Sequence, residues 1–184
     1  MLPHLRKMFA SETGVATIEL ALIAPILAVM TIGIVDISNA YSRKLALEQG
    51  AHRAIEKVMQ TTANDTVEGT LATEAVCQVN GMNSDGTCKT SPITSSNVTV
   101  TWRRECTATG SYTATAGGTT TPATYTTSTD YDADPCPSTA TEADYIQVYI
   151  TDKYTPLFPI HFGSSYNSAE GAYDLSASAG MRTK

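Results

Sequence analysis

Five residues in this sequence combine a chemically consequential type with an informative position: Glu19 and the four cysteines 77, 88, 106 and 136. Glu19 is the one charge in the 21 residues from Val15 to Val35. A carboxylate inside an apolar span is costly and normally has a partner; otherwise it lies near the interface and reaches the headgroups. The cysteines are even in number and all lie downstream of the apolar run, which points to disulfides in an oxidising compartment. Four cysteines allow three pairings, and loop closure favours near neighbours, hence Cys77–Cys88 and Cys106–Cys136. Zinc is the alternative, but the spacings contain no Cys-x-x-Cys and no histidine lies nearby. Asp130-Tyr-Asp-Ala-Asp-Pro supplies the first three carboxylates of a calcium loop. It has Pro135 where that loop needs glycine and Thr141 where it needs glutamate, and Glu142 comes one place late, so a solvated acidic turn is the simpler reading. His4, His52 and His161 are isolated from one another, and no nucleophile elbow, phosphate loop or dinucleotide fingerprint appears. Asn64 and Asn97 each stand in a glycan-acceptor pattern. The residues therefore point away from an enzyme, with no cofactor and no metal.

The elements that must position these residues begin with a span. About 20 apolar residues cross a bilayer as a helix, and Val15–Val35 meets that length. Arg6 and Lys7 precede it, which predicts a cytoplasmic N-terminus and an exported remainder; Arg43 and Lys44 beyond the span weaken that charge rule. Past Asp36 no turn signal intervenes, and Leu47, Ala51, Ala54, Ile55 and Val58 keep a helical spacing. One helix is expected from about residue 15 to 60, bent at Pro25 and Gly33. Residues 61–73 read as a connector or short helix. Three alternating runs read as strands: 97–104, 144–151 and 173–181. The fold class is thus α+β, a long N-terminal transmembrane helix followed by a small antiparallel sheet. Residues 107–129 contain 11 threonines in 23 residues, too few large apolar groups for a core, so an exposed loop or edge hairpin is expected. Twelve basic against 18 acidic residues leave no basic surface for nucleic acid.

Basic residues, Gly14, Glu19 five places on and an apolar run together resemble the class-III signal of type IV prepilins. More specifically, Thr13-Gly-Val-Ala-Thr-Ile-Glu-Leu with the early Pro25 and the Gly33-Ile-Val-Asp exit is similar to the TadE/TadG-like proteins of tight-adherence (Tad, Flp-type) pili. Tyr149-Ile-Thr-Asp-Lys-Tyr-Thr-Pro-Leu-Phe-Pro-Ile and Leu175-Ser-Ala-Ser-Ala-Gly-Met-Arg resemble the closing strands of that family. Leu20 departs from it, since an aromatic is common after the glutamate. The resemblance covers residues 10–60 and 144–184.

The resemblance implies a leader, 1–14, removed by a prepilin peptidase after Gly14, then a helix 15–60 and an exported head 61–184. It implies that the new Val15 amine pairs with Glu19 of a neighbouring subunit, which offsets burial and sets register. Small residues Ala16, Ala21, Ala24 and Ala28 would let helices approach closely. The expected function is that of a structural minor pilin or pseudopilin. The implied partners are the major pilin, other minor pilins, the prepilin peptidase and inner-membrane assembly proteins. The implied location is the bacterial inner membrane with a periplasmic head, and later the pilus. The competing class is an uncleaved, membrane-anchored binding or adhesive module, motivated by the Thr-rich loop. For the cysteines, mass spectrometry after alkylation without reduction should find all four thiols unlabelled; four labelled thiols would refute the disulfides.

Overall fold

The computed structural model describes residues 12–60, 70–108, 113–115, 123–125, 135–138, 140–158 and 165–184. Most of the leader, 61–69 of the connector, the acidic 130–134 stretch, Asn64, His4, His161 and most of the Thr-rich loop lie outside the described residues.

Helix α1 spans Glu12–Gln60 without a break. It starts a few residues before the expected position 15, so Gly14 falls in its first turn. It also runs through Pro25 and Gly33, which do not interrupt it. The Thr31 hydroxyl donates back to Leu27 O at 2.7 Å, one turn earlier. From Ala16 to Thr31 every residue is exposed. Beyond that a stripe at three- and four-residue spacing becomes covered. Gly33, Asp36, Leu47, Gly50, Ala51, Ala54, Ile55 and Val58 are buried along it, with Ala40 and Arg43 half-buried between them. Residues three and four apart share one helix face, so this stripe is the face that the rest of the chain packs on.

A second helix, α2 (Leu71–Asn80), buries Leu71, Ala75 and Val76 against that stripe. The sequence had suggested only a connector or short helix ending at residue 73. Ten residues are too few for a helix to hold alone in water, and tertiary packing stabilises this one. The two helices meet closely at Gly50: a Cβ there would lie 2.5 Å from Val79 Cγ2 and 3.1 Å from Ala75 O. Beside this contact Lys57 Nζ donates to Glu74 at 2.8 Å and Arg53 Nε lies 3.4 Å from it. The Lys57 hydrogen bond, with the charges of both cations, holds the Glu74 carboxyl below its ordinary value. The Cys77–Cys88 disulfide, with Cα atoms 4.8 Å apart, closes the loop after α2. Asn80 fastens the loop further, donating to Ile93 O at 2.6 Å and accepting from Ile93 N at 3.1 Å.

The sheet is antiparallel. Its long strands are β1 (Val98–Ala108), β4 (Ala140–Tyr154) and β6 (Ala172–Arg182), with β4 in the centre. These correspond to the three strands expected from alternation. Short β5 (Tyr166–Asn167) pairs with β6. Two short strands, β2 (Thr113–Thr115) and β3 (Ala123–Tyr125), pair with β1 rather than with each other. β1 and β2 are consecutive antiparallel strands, so the described parts of the Thr-rich region form the edge hairpin that was one of the two expectations, and β3 extends the same edge. The Cys106–Cys136 disulfide ties β1 to the chain leading into β4.

One sheet face packs on the helices: Val98 and Trp102 from β1, Ile146, Val148 and Ile150 from β4, and Ala177 and Ala179 from β6. At its end the same face carries charge. Arg104 is buried, with Nε 2.7 Å from Glu142 Oε1 and 3.0 Å from Asp144 Oδ1, and Lys184 also pairs with Glu142. Alternation from Trp102 puts Arg104 inside by parity. Gly50→Ala should lower stability by about 1–3 kcal/mol through overpacking. That outweighs the roughly 1 kcal/mol by which alanine is the better helix former. A denaturation midpoint of the detergent-solubilised full chain that is unchanged or raised would contradict the close contact.

Candidate functional site

The feature that could act on other molecules is the bare stretch of α1. Ala16 to Val35 rises roughly 30 Å at 1.5 Å per residue, the thickness of a hydrocarbon core. It carries Ile18, Leu20, Leu22, Ile23, Ile26 and Leu27 exposed to solvent. Among the described residues α1 is the one helix long and apolar enough to cross a membrane. An uncovered surface of this kind is unstable in water and has to be covered by lipid or by other chains.

The expected processing and assembly residues lie on α1, at this stretch or in the turn just ahead of it. Gly14 and Val15 lie in the first turn, and Glu19 is exposed with no basic partner among the described residues. Ala21, Ala24 and Ala28 share one helix face by their spacing, while Ala16 falls off it. The structure does not bring Glu19 near the cysteines: the disulfides belong to the head, and Glu19 belongs to the bare helix.

Where bare helix becomes covered helix, the structure builds a junction. Asp36 is buried and accepts three hydrogen bonds: Leu157 N at 2.8 Å, Phe158 N at 3.1 Å and Tyr154 OH at 3.2 Å. A carboxylate accepts two backbone amides as an N-cap does, here from a turn distant in sequence. Burial, and then the bond to Asp36, push the Tyr154 hydroxyl up from its ordinary value. Two helical turns on, Arg43 Nε meets the largely buried Asp152 at 2.6 Å. The end of β4 and the following turn are thereby bolted to the helix. Beside Asp36 lies a mostly apolar cavity of about 250 Å³, walled by Ile37, Ala40, Tyr41, Tyr173 and Leu175.

Sequence reasoning named Asp36 only as part of an exit pattern and counted Arg43 only as a charge after the span. Both stand on the 3–4 stripe that leads to Leu47, and a charge on a covered stripe signals a specific partner. The open face of the sheet holds a second, shallow cavity of about 500 Å³ with Thr101, Arg103, Tyr145, Gln147 and Arg182. There the Arg103 guanidinium lies 5.3 Å from the centre of the Tyr145 ring. Glu142, the late glutamate of the calcium-like pattern, is engaged by Arg104 and Lys184. His52 is exposed on α1. No group of three or more histidine, cysteine or carboxylate side chains suited to a metal ion occurs among the described residues.

Residues 14–55 match the family model described as TadE-like protein. The match covers less than a quarter of the 184-residue chain and includes Gly14, Glu19, Asp36 and Arg43. It stops before the head, so the C-terminal likeness lies outside it. No curated protein and no solved structure matches the chain.

Hydrogen bonds to a charged group contribute about 1.5–3 kcal/mol each. Asp36→Ala should therefore raise amide exchange at Leu157 and Phe158 by about tenfold or more, since 1.4 kcal/mol corresponds to a factor of about ten. Exchange unchanged at both amides would mean that Asp36 does not hold the turn.

Proposed function

Taking the TadE-like segment at residues 14–55 as the premise, we propose that this chain is a structural minor pilin or pseudopilin of a Tad-type pilus, cut after Gly14 and assembled through its apolar helix. The observation that carries the reading is the bare stretch of α1, which is membrane-length, exposed all round, apolar but for Glu19 and joined to a folded head. The coarser part fits without further assumption: a Tad pilus-related protein anchored in a membrane by one N-terminal helix. The finer part is mechanistic. A span packed only against lipid is free to exchange lipid for neighbouring helices, because van der Waals packing and polar contacts, not water expulsion, decide between the two.

In this reading Glu19 supplies the polar contact. Cleavage creates an ammonium on Val15, and Glu19 of an adjacent subunit neutralises it within the shared apolar core. A charge pair buried there is costly unless both partners are present, so it selects register rather than adding much net stability. The prepilin peptidase, the major pilin, other minor pilins and inner-membrane assembly proteins are the partners this requires. The N-terminus is cytoplasmic and the disulfide-bonded head periplasmic, where disulfides persist.

The second reading is an uncleaved anchored binding module, favoured by the open sheet face with its Arg103–Tyr145 cavity. It differs in keeping an intact leader and in being absent from sheared pili. Mass spectrometry of purified pili and membranes should find a mature chain beginning at Val15, and an intact Met1 in cells with active peptidase would refute processing. Glu19→Ala should leave membrane insertion unchanged while strongly reducing incorporation into pili; normal incorporation would remove the assigned role.

A further inference from the structure

The head does not begin where the apolar run ends. Gly33 is already covered and Asp36 already bonded, so the head grips α1 within the last turns of the run. If Ala16 to Val35 fills a hydrocarbon core of about 30 Å, Asp36 stands at its far boundary. The backbone amides of Leu157 and Phe158 are pinned to that boundary by the Asp36 carboxylate.

The side chains at this level are unusual for a soluble surface. Leu157 is 66% exposed, Phe158 38%, Ile37 55% and Tyr41 69%. They come from two segments far apart in sequence and stand at one level of the helix exit, Ile37 and Tyr41 on α1 itself and Leu157 and Phe158 on the turn bonded to Asp36, and together they make a collar. Exposed Lys44 stands two turns beyond Ile37, on the head side. The order along the helix is therefore apolar span, then leucine, isoleucine and aromatic rings, then a cation. Tyrosine and other amphipathic aromatics favour the headgroup level, and lysine extends its amine toward phosphates. The apolar cavity behind Ile37 and Tyr41 lies at the same level.

We infer that the head is seated on the membrane by this collar, with Leu157 and Phe158 inserted among the upper acyl chains of the leaflet on the head side and Lys44 near its phosphates. The occupant is the lipid interface, because the collar is continuous with the span and presents the same apolar chemistry. Asp36 is the positioning residue: it fixes the depth of the turn and touches no lipid. The inference rests on the membrane-anchoring part of the proposed function and goes beyond it, since an anchor alone leaves the head free to tilt.

The test uses the full-length chain reconstituted in phosphatidylcholine vesicles with bromine at shallow acyl positions. The native protein has a single tryptophan, Trp102, which is buried in the head core and reports the background. In Phe158→Trp, and separately in Leu157→Trp, the introduced indole should lose about half its emission to shallow bromine, as expected of an interfacial ring, while Trp102 in the native chain is little affected. Disulfides intact by non-reducing mass analysis show that each variant has folded. Chains that float with the vesicles but show no added quenching in either variant overturn the collar while leaving anchoring in place. Chains that fail to float overturn anchoring and the collar with it. Quenching that disappears as the protein-to-lipid ratio rises, with cross-linking between copies, identifies a second copy as the occupant and also overturns the proposal.

Discussion

One helix has to satisfy two surroundings along a single axis, and the rest of the structure follows from how it does so. From Ala16 to Thr31 α1 has no covered face, so its apolar side chains need lipid or other helices around the whole circumference. Over its second half the same helix offers one stripe to a sheet and a short helix and leaves the other side to water. Regular backbone hydrogen bonding makes this possible: in a helix each interior amide is satisfied internally, so the segment is indifferent to the medium and only the side chains have to match it. The change of medium falls at residues 33–36, where the stripe starts.

The interactions that fix the head to the helix differ in weight. The apolar contacts of Leu47, Ala51, Ala54 and Ile55 with Ile146, Val148 and Ile150 dominate, at about 1.5–3 kcal/mol for each large side chain fully buried. The Lys57–Glu74 pair is partly exposed and contributes roughly 0–1 kcal/mol. Between these lies Asp36, whose three hydrogen bonds specify where the β4 turn sits on the helix. Hydrophobic burial holds the head on; Asp36 and Arg43 decide its height and rotation. Directional bonds are suited to that task because a stripe of aliphatic groups tolerates sliding by a helical turn.

The head itself has a modest core, and two disulfides compensate. Cys106–Cys136 has a sequence separation of 30, and closing a loop of that order stabilises by about 3–4 kcal/mol in the chain-entropy account. It ties the Thr-rich excursion between β1 and β4 at its base. Cys77–Cys88 restrains the loop that α2 could not organise alone. Gly50 shows the other side of a small core: the close approach of α1 and α2 is made with a glycine in mid-helix, at a cost in propensity that packing offsets.

Periodicity in the sequence determined the long helix, the three main strands and the residues of the helical core, because each depends on a repeat of 3.6 or 2 that is visible in the chain. It also placed Glu19 in an apolar setting and all the cysteines in one region. It did not determine α2, whose ten residues gain stability only against the face of α1. For residues 107–129 it left an exposed loop and an edge hairpin both open, and only the β1 edge decided for strands at β2 and β3. The role of Asp36 was decided by tertiary structure alone. Its partners Tyr154, Leu157 and Phe158 lie more than a hundred residues away, and two of the three bonds go to backbone amides, which no residue type reveals. Local patterns announce which face of an element is buried; only the folded chain brings a carboxylate on one such face to the backbone of another.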